Sequence, residues 1–313
     1  MPLDPVVWFF LLGLAARLLR SDLKIPGALY EALAIYLLLA IGLRGGVELA
    51  HEPLLSLAPQ AAAALAIGVA IPLAAYPVLR YLGRLSAPDA GAIAAHYGSV
   101  SVVTFAVATA HATTRGIPFE ATMPLMVALL EVPGILVGVM LGRAGDSSGG
   151  RVRWGMLTRE TLVGKSVVLL VGGVAIGWLA APTIAPLQPF FVDMFKGVLC
   201  LFLLEMGLVV GARLGDLRRA GPFLIAFGVV MPLAAAVLGA FAGRLAGFSV
   251  GGTALLATLA ASASYIAAPA ATRIALPKAN PALSLGASLG VTFPFNIAIG
   301  IPLYFELARR IHV

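Results

Sequence analysis

Long apolar runs, separated by short charged or Pro/Gly-containing stretches, recur along the whole 313-residue chain. A helix needs roughly 20 mostly apolar residues to cross the hydrocarbon core of a bilayer. Lipid offers no hydrogen bonds to a backbone, so a spanning segment satisfies its own N–H and C=O groups as a helix. The runs predict an all-α polytopic membrane protein with ten transmembrane helices near residues 5–20, 28–48, 58–80, 89–113, 119–142, 160–181, 190–212, 221–246, 249–273 and 281–308.

The composition supports lipid as the surroundings of this chain. Hydrophobic residues make up 60% and charged residues 11%, against about 45–50% and about 25% in soluble domains. The net charge of +7 does not indicate a nucleic-acid partner, because the basic residues are scattered singly between apolar runs.

The basic residues also predict the orientation. With the N-terminus outside, most of the 21 Lys and Arg residues fall on the inner side, as the positive-inside rule requires. Both termini are therefore predicted outside a bacterial inner (plasma) membrane, and the polar linker at 143–159 is predicted in the cytoplasm.

Two halves of the chain carry matching segments in the same order. LLAIGLRGGVEL (38–49) aligns with LLEMGLVVGARL (203–214), and Ser99 and Ser101 align with Ser262 and Ser264. We predict two five-helix repeats, 1–142 and 160–313, joined by the 143–159 linker. An odd number of helices inverts the second repeat, and inverted repeats are typical of secondary transporters whose sites lie near the midplane.

Hydroxyl-rich segments lie at mid-membrane depth in the fourth and ninth predicted helices. The fourth reads HYGSVSVVT (96–104) and the ninth reads SASYIAAP (262–269). Polar groups at this depth are costly and mark function. We predict that both helices are interrupted there and present free N–H groups and positive dipole ends to an anion. The alternative is that each hydroxyl bonds back to its own helix.

Three further polar residues lie within predicted spans. Glu131 precedes Pro133, which favours cation coordination or proton coupling; the alternative is a hydrogen bond to backbone freed by the proline. Asn296 follows Pro294 and is predicted to line the same cavity. Glu205 has no counterpart, since the other half carries Ala40 there. No catalytic motif of soluble enzymes is present, so no enzymatic activity is predicted.

The segments YGSVSVVTFA, LLEVPGILV, LLEMGLVVGARLGDLR, LAASASYIAAPAATR and FPFNIAIGIPL resemble the cyanobacterial sodium-dependent bicarbonate transporters of the SbtA type. The resemblance covers nearly the whole chain. It implies ten helices in two inverted repeats, a core and a gate domain, a homotrimer, and import of bicarbonate with sodium. The residues that it implies for the anion and the ion are Gly98, Ser99, Ser101, Thr104, Ser262 and Ser264, and Glu131 falls where the family has an aspartate. We add Tyr265 to these candidates for substrate binding, and our candidates for sodium or proton coupling are Glu131, Ser101, Thr104 and Asn296.

The chain departs from the family pattern at both motifs. The family reads close to V-S-G-S-T where this chain has Val100 to Thr104, and close to S-S-S-D-I-S-G-P-P where it has Ser262 to Ala270. An acidic residue is thus Tyr265 here, and several hydroxyls are alanine. The linker is shorter than in members that bind a PII-like regulator, so that partner is not carried over.

These observations favour a secondary active symporter that imports bicarbonate, coupled to sodium, by alternating access. The first alternative keeps the fold and changes the substrate to another small carboxylate or inorganic anion, with sodium or proton coupling. The second alternative, from another class, is a passive anion channel. Sodium is the one ion expected besides the anion, and no other cofactor is predicted.

Overall fold

A computed structural model describes residues 5–50, 57–145 and 154–313, and every regular element within these ranges is helical. Eight of the helices have the length and apolar composition to cross a membrane. The elements are α1 (Pro5–Leu18), α2 (Gly27–Leu49), α3 (Leu57–Pro77, continued by a π-helical turn Val78–Leu82), α4 (Ala87–Gly98), α5 (Val102–Thr114), α6 (Met123–Ala144), α7 (Trp154–Leu162), α8 (Lys165–Ala180), α9 (Phe195–Leu245), α10 (Val250–Ala260), α11 (Ala267–Ala275) and α12 (Pro281–Ile311, with two π-helical turns).

The predicted spans correspond to these helices in order. Three of them are not single full-length helices: α1 has 14 residues, the fourth predicted helix is divided into α4 and α5, and the ninth is divided into α10 and α11. The chain is a polytopic all-α membrane protein, and the total of ten spans stays a prediction.

The predicted linker 143–159 is partly helical. Its first residues complete α6, and residues 154–159 open the short helix α7. Residues 146–153 lie outside the described residues. The linker sequence is polar and rich in glycine, so no apolar pattern in it predicted the helix α7.

Four helices form a row in the order α1, the first arm of α9 (up to Arg213), α2 and α8, which we name the four-helix group. Glycines allow the backbones to touch. A Cβ added to Gly42 of α2 would lie 2.5 Å from the carbonyl oxygen of Leu170 in α8, and one added to Gly207 of α9 would lie 2.1 Å from that of Phe10 in α1. Gly42 and Gly207, the aligned glycines of the two halves, thus make the same kind of contact, although the repeat itself stays a prediction.

The remaining spans form a second bundle, named the crossing group, which contains α3 to α6, the second arm of α9 (Gly221–Leu245) and α10 to α12. Within it α10 packs between the second arm and α12. Every residue of α10 from Gly251 to Ala260 is buried, so this helix has no lipid-facing side. Helix α10 therefore lies inside the crossing group, whereas α11 exposes residues such as Ile274 on the outside.

Gly221 joins the two arms of α9 and so connects the two groups. Its backbone has φ 75° and ψ 166°, a region that only glycine occupies without strain. No atom lies within 4 Å of a Cβ added there. Backbone conformation, not space, therefore requires glycine at this joint.

We predict that Gly221→Ala destabilises the protein by about 1–3 kcal/mol, because alanine is strained at this φ and ψ. Gly197→Ala is the matched control, since Gly197 lies in the same helix and also has no atom within 4 Å of an added Cβ, but has no positive φ. Thermal unfolding of purified protein in detergent measures the difference. Equal melting temperatures for the two variants would contradict the assignment of strain to this joint.

Candidate functional site

The first interruption separates α4 from α5. The α4 helix ends at Gly98, and Ser99 and Ser101 have extended backbones. The Ser101 hydroxyl accepts the backbone N–H of Thr104 at 3.1 Å and the Thr104 hydroxyl at 3.0 Å. Serine is a favoured N-cap residue, so the SVSVVT segment restarts the helix at Val102.

The second interruption separates α10 from α11 at residues 261–266. The Ser264 hydroxyl accepts the N–H of Ala268 at 3.2 Å and so caps the restarting helix. The Ser262 hydroxyl donates to the carbonyl of Leu259 at 2.8 Å. Both segments therefore break at the hydroxyl-rich positions that the sequence singled out.

The two interruptions cross and hydrogen-bond to each other. The N–H of Ser264 donates to the carbonyl of His96 at 2.7 Å, and the N–H of Ser101 donates to the Ser262 hydroxyl at 2.9 Å. The exposed fractions of Ser99, Ser101, Ser262 and Ser264 are 4% or less. Serines from both halves of the chain thus meet at one buried crossing, as the aligned motifs predicted.

Two helices begin at this crossing with donors unused. In the described part of the chain no acceptor faces the N–H groups of Val102, Val103 or Ala267, which belong to the first turns of α5 and α11. The first N–H groups of a helix have no partner within it and carry partial positive charge. Chemically, the crossing can therefore bind an anion.

Polar side-chain atoms without partners surround the crossing. Ser99 Oγ, His96 Nε2, Glu131 Oε2 and the Tyr265 hydroxyl are inaccessible to solvent and make no hydrogen bond among the described residues. Buried polar atoms in native proteins are nearly always paired, so this set indicates a place for polar ligands.

Glycines of α6 bring Glu131 to the crossing. A Cβ added to Gly138 would lie 2.5 Å from Cα of Ala95 in α4, and a Cβ added to Gly134 would lie 2.0 Å from the carbonyl carbon of Gly98. Glu131 lies one turn before Gly134 on the same helix face, because residues three apart are neighbours on a helix. These two contacts show that α6 runs antiparallel to α4, so Glu131 lies level with the first interruption. The Glu131 side chain is 2% exposed.

The side-chain amide of Asn296 links the second interruption to α12. Its Nδ2 donates to the carbonyl of Ala261 at 2.9 Å, and its Oδ1 accepts the Tyr304 hydroxyl at 2.7 Å. Both ends of the amide are thus occupied by protein groups. The sequence did not predict Tyr304, although it lies eight residues after Asn296, about two helical turns, which was the available signal.

The structure thus assembles most of the predicted site. Gly98, Ser99, Ser101 and Thr104 form one side of the crossing, Ser262, Ser264 and Tyr265 form the other, and Glu131 lies level with the first interruption. Among the described residues, no three His, Cys, Asp or Glu side chains lie close enough together to hold a metal ion. A cation here would be held mainly by hydroxyl and carbonyl oxygens, which suit a hard monovalent ion better than a transition metal.

A crevice of about 180 Å³ separates the four-helix group from the crossing group on the side where α5 ends. Two cations bridge it: the Arg44 guanidinium lies 6.0 Å from the centre of the Phe119 ring, and Lys196 donates to the Thr114 hydroxyl. A smaller cavity of about 20 Å³ lies between the groups beside Val102 and Ile266. Space between the groups therefore occurs both beside the crossing and towards one membrane face.

A family model described as the Na+-dependent bicarbonate transporter superfamily matches residues 5–309. The match covers both helix groups and all the residues of the crossing. No curated protein matches the chain.

We predict that Gly134→Ala disturbs the first interruption, because the new methyl group would lie 1.9 Å from the carbonyl oxygen of Gly98. Overpacking of this kind costs about 1–3 kcal/mol. Gly172→Ala is the control, since no atom lies within 4 Å of an added Cβ there. Thermal unfolding in detergent tests the contact; a Gly134→Ala protein as stable as Gly172→Ala would show that α6 does not contact the interruption this closely.

Proposed function

The chain belongs to the Na+-dependent bicarbonate transporter superfamily, and we propose from this premise that it is a secondary active symporter that imports bicarbonate with sodium. Membership of a transporter superfamily implies transport and not catalysis. The substrate is accordingly an anion, and the protein works within a lipid bilayer.

The observation that carries the proposal is the pair of helix N-termini at the buried crossing. Unused N–H groups and positive dipole ends from α5 and α11 favour an anion. The Ser99 hydroxyl, which has no hydrogen-bond partner among the described residues, adds a donor to the same place. Bicarbonate carries three oxygen atoms within a small volume, so several of these donors can contact it together.

Sodium is proposed to bind next to the anion. Glu131 provides a carboxyl oxygen that has no hydrogen-bond partner in the described part of the chain, and Ser101 and Thr104 provide hydroxyl oxygens at the adjoining helix start. A carboxylate inside a membrane is protonated, paired or bound to a cation. Asn296 is proposed to contribute by holding the carbonyl of Ala261 in place. Bound together, sodium and bicarbonate are neutral overall, which lowers the cost of carrying charge through the bilayer.

Alternating access is proposed to occur by movement between the two groups. The crossing group acts as the core, because it contains both interruptions, and the four-helix group acts as the gate. The bridges from Arg44 and Lys196 are few and exposed to the crevice, and such contacts are weak individually. They can break and re-form as the crevice opens and closes.

Orientation and assembly are also proposals. We place the protein in a bacterial inner membrane with both termini outside and the 143–159 linker in the cytoplasm, on the distribution of basic residues. A homotrimer follows from the family resemblance alone. We propose no PII-like regulator for this chain, since its linker is shorter than in the members that bind one.

Uptake of labelled bicarbonate into proteoliposomes tests the function. We predict accumulation above the external concentration when an inward sodium gradient is imposed, and little uptake when choline replaces sodium. Uptake that never exceeds the anion's own electrochemical gradient would identify a passive channel. Absence of bicarbonate uptake by correctly reconstituted protein would redirect the search to other small carboxylates or inorganic anions.

Ser99→Ala separates a transport role from a structural one. The Ser99 hydroxyl is buried without a partner, and an unsatisfied buried polar group costs about 1–3 kcal/mol. We predict that its removal leaves stability unchanged or higher while uptake falls at least about tenfold, the loss of one good hydrogen bond.

Ser288→Ala is the control. Its hydroxyl is equally buried but donates to the carbonyl of Ser284 at 2.8 Å, so its removal should lower stability and leave uptake per folded molecule unchanged. Normal uptake by Ser99→Ala, measured with the same initial-rate assay, would remove Ser99 from the site.

A further inference from the structure

Helix α12 carries two buried polar side chains one turn apart, and each hydrogen-bonds to other helices of the crossing group. Thr292 ends the first π-helical turn of α12, and Asn296 begins the second. Residues four apart lie on the same face of a helix, and the exposed fraction of both side chains is 1% or less. The proposed site uses Asn296 but leaves Thr292 without a role.

A proline in the second arm of α9 frees the carbonyl that Thr292 binds. Within an α-helix the carbonyl of Gly228 would accept the N–H of residue 232, but Pro232 has no N–H. The Thr292 hydroxyl donates to this carbonyl at 2.7 Å. Hydroxyls of neighbouring helices commonly satisfy backbone groups that a proline frees inside a membrane. Thr292 therefore ties α12 to α9 at the point where the proline opens it.

Tyr97 contacts the same hydroxyl from the helix that leads into the first interruption. Its own hydroxyl lies 2.6 Å from Thr292 Oγ1. The Thr292 proton is already donated to Gly228, so the Tyr97 hydroxyl is the donor in this contact. Tyr97 directly precedes Gly98, the last residue of α4, and its ring packs against Phe227 with 4.9 Å between the ring centres. The end of α4 is thus attached to α12 immediately before the interruption.

The second interruption is attached to the same face of α12. Asn296 donates to the carbonyl of Ala261, the first residue of that interruption, and Tyr304 orients the amide by donating to its Oδ1. The attachment points Thr292 and Asn296 are about 6 Å apart along the helix axis. One helix face therefore fixes the ends of α4 and α10 relative to each other.

We infer that Tyr97 and Thr292 are positioning residues for the proposed anion site, and that α12 keeps the two interruptions in the register that the anion requires. The inference rests on the proposed function and extends it to residues that do not touch the substrate. The unused N–H groups of α5 and α11 bind one small anion together only if their separation is fixed. A binding site has to be held within about 0.5 Å of its working geometry, so loss of either attachment weakens anion binding while the donors themselves remain.

Tyr97→Phe tests the first attachment with the smallest change. It removes one hydroxyl, keeps the ring against Phe227 and leaves Thr292 bonded to Gly228, so no buried donor loses its acceptor. We expect the bicarbonate concentration for half-maximal uptake at saturating sodium to rise at least about fivefold, the loss of one hydrogen bond, with the maximal rate per folded molecule largely retained. Thr292→Val should raise this concentration as well, and Thr292→Ser, which keeps the hydroxyl, should restore it.

Tyr36→Phe is the matched control. The Tyr36 hydroxyl is also buried and donates to the backbone carbonyl of Phe190, but it belongs to α2 in the four-helix group. We expect this variant to keep the wild-type bicarbonate requirement. An unchanged requirement in Tyr97→Phe as well would overturn the positioning role of Tyr97.

Tyr304→Phe is the corresponding change at the second attachment, because it releases the amide of Asn296 without altering it. Two sites that act independently change a binding constant by factors that multiply to within about twofold. If one face of α12 holds both interruptions, the double variant with Tyr97→Phe departs from that product by more than about twofold. Agreement with the product would overturn the shared role of α12.

Hydrogen exchange separates failure of this inference from failure of the proposed function. Exchange of the backbone amides in residues 96–104 of purified protein reports local opening of the first interruption. We expect it to be faster in Tyr97→Phe than in the wild type or Tyr36→Phe. A wild type that takes up bicarbonate, matched by Tyr97→Phe in both exchange and half-maximal concentration, would overturn the positioning role alone. A wild type that takes up no bicarbonate would overturn the proposed function, and faster exchange in Tyr97→Phe would still support the attachment to α12.

Discussion

The need to satisfy every backbone polar group inside a bilayer governs this structure. An unbroken helix meets that need by itself, whereas each interruption exposes N–H and C=O groups with no water to accept them. The chain resolves this by crossing its two interruptions, so that Ser101 donates to Ser262 and Ser264 donates to the His96 carbonyl. The donors that remain at the starts of α5 and α11 are the ones assigned to the substrate in the proposed function, so the proposed site consists of the groups that the crossing leaves unsatisfied.

Close packing by glycine determines where that site lies. Helix α6 approaches the first interruption so closely that Gly134 and Gly98 are in backbone contact. Because of this contact, Glu131 lies level with the crossing. On a more distant helix, a layer of side chains would separate the carboxyl group from the crossing. Glycine contacts of the same kind join α2 to α8 and α9 to α1 in the four-helix group. Glycine thus packs helices closely within each group, and aromatic and cationic side chains such as Phe119, Arg44 and Lys196 line the crevice between the groups.

Much of this could be read from the sequence, for definite reasons. Apolar runs predicted the helices because lipid imposes one length and one structure on a span. The serines beside Gly98 and before Pro269 predicted both interruptions, because caps and breakers act locally. Partnerships between distant segments could not be predicted this way. The link from Tyr304 through Asn296 to Ala261, and the stacking of Tyr30 on Phe202, depend on how helices pack, which no single segment encodes.

The two predicted repeats differ at the aligned positions Ala40 and Glu205, and this difference makes the two sides of the crossing chemically unlike. Ala40 lines the crevice that contains Arg44 and Lys196, whereas Glu205 lies with Tyr30 on the opposite side of the crossing. Two identical inverted repeats would present the same chemistry to both sides of the membrane, and a substrate would experience no preferred side. Here one approach carries Arg44 and Lys196 together with the acidic residues Glu48, Glu120 and Asp193, and the other carries Glu205 near the stacked rings of Tyr30 and Phe202. The mixed charges of the first approach favour neither sign of ion, so the asymmetry between the predicted halves lies in the carboxyl group that the second half carries where the first has Ala40.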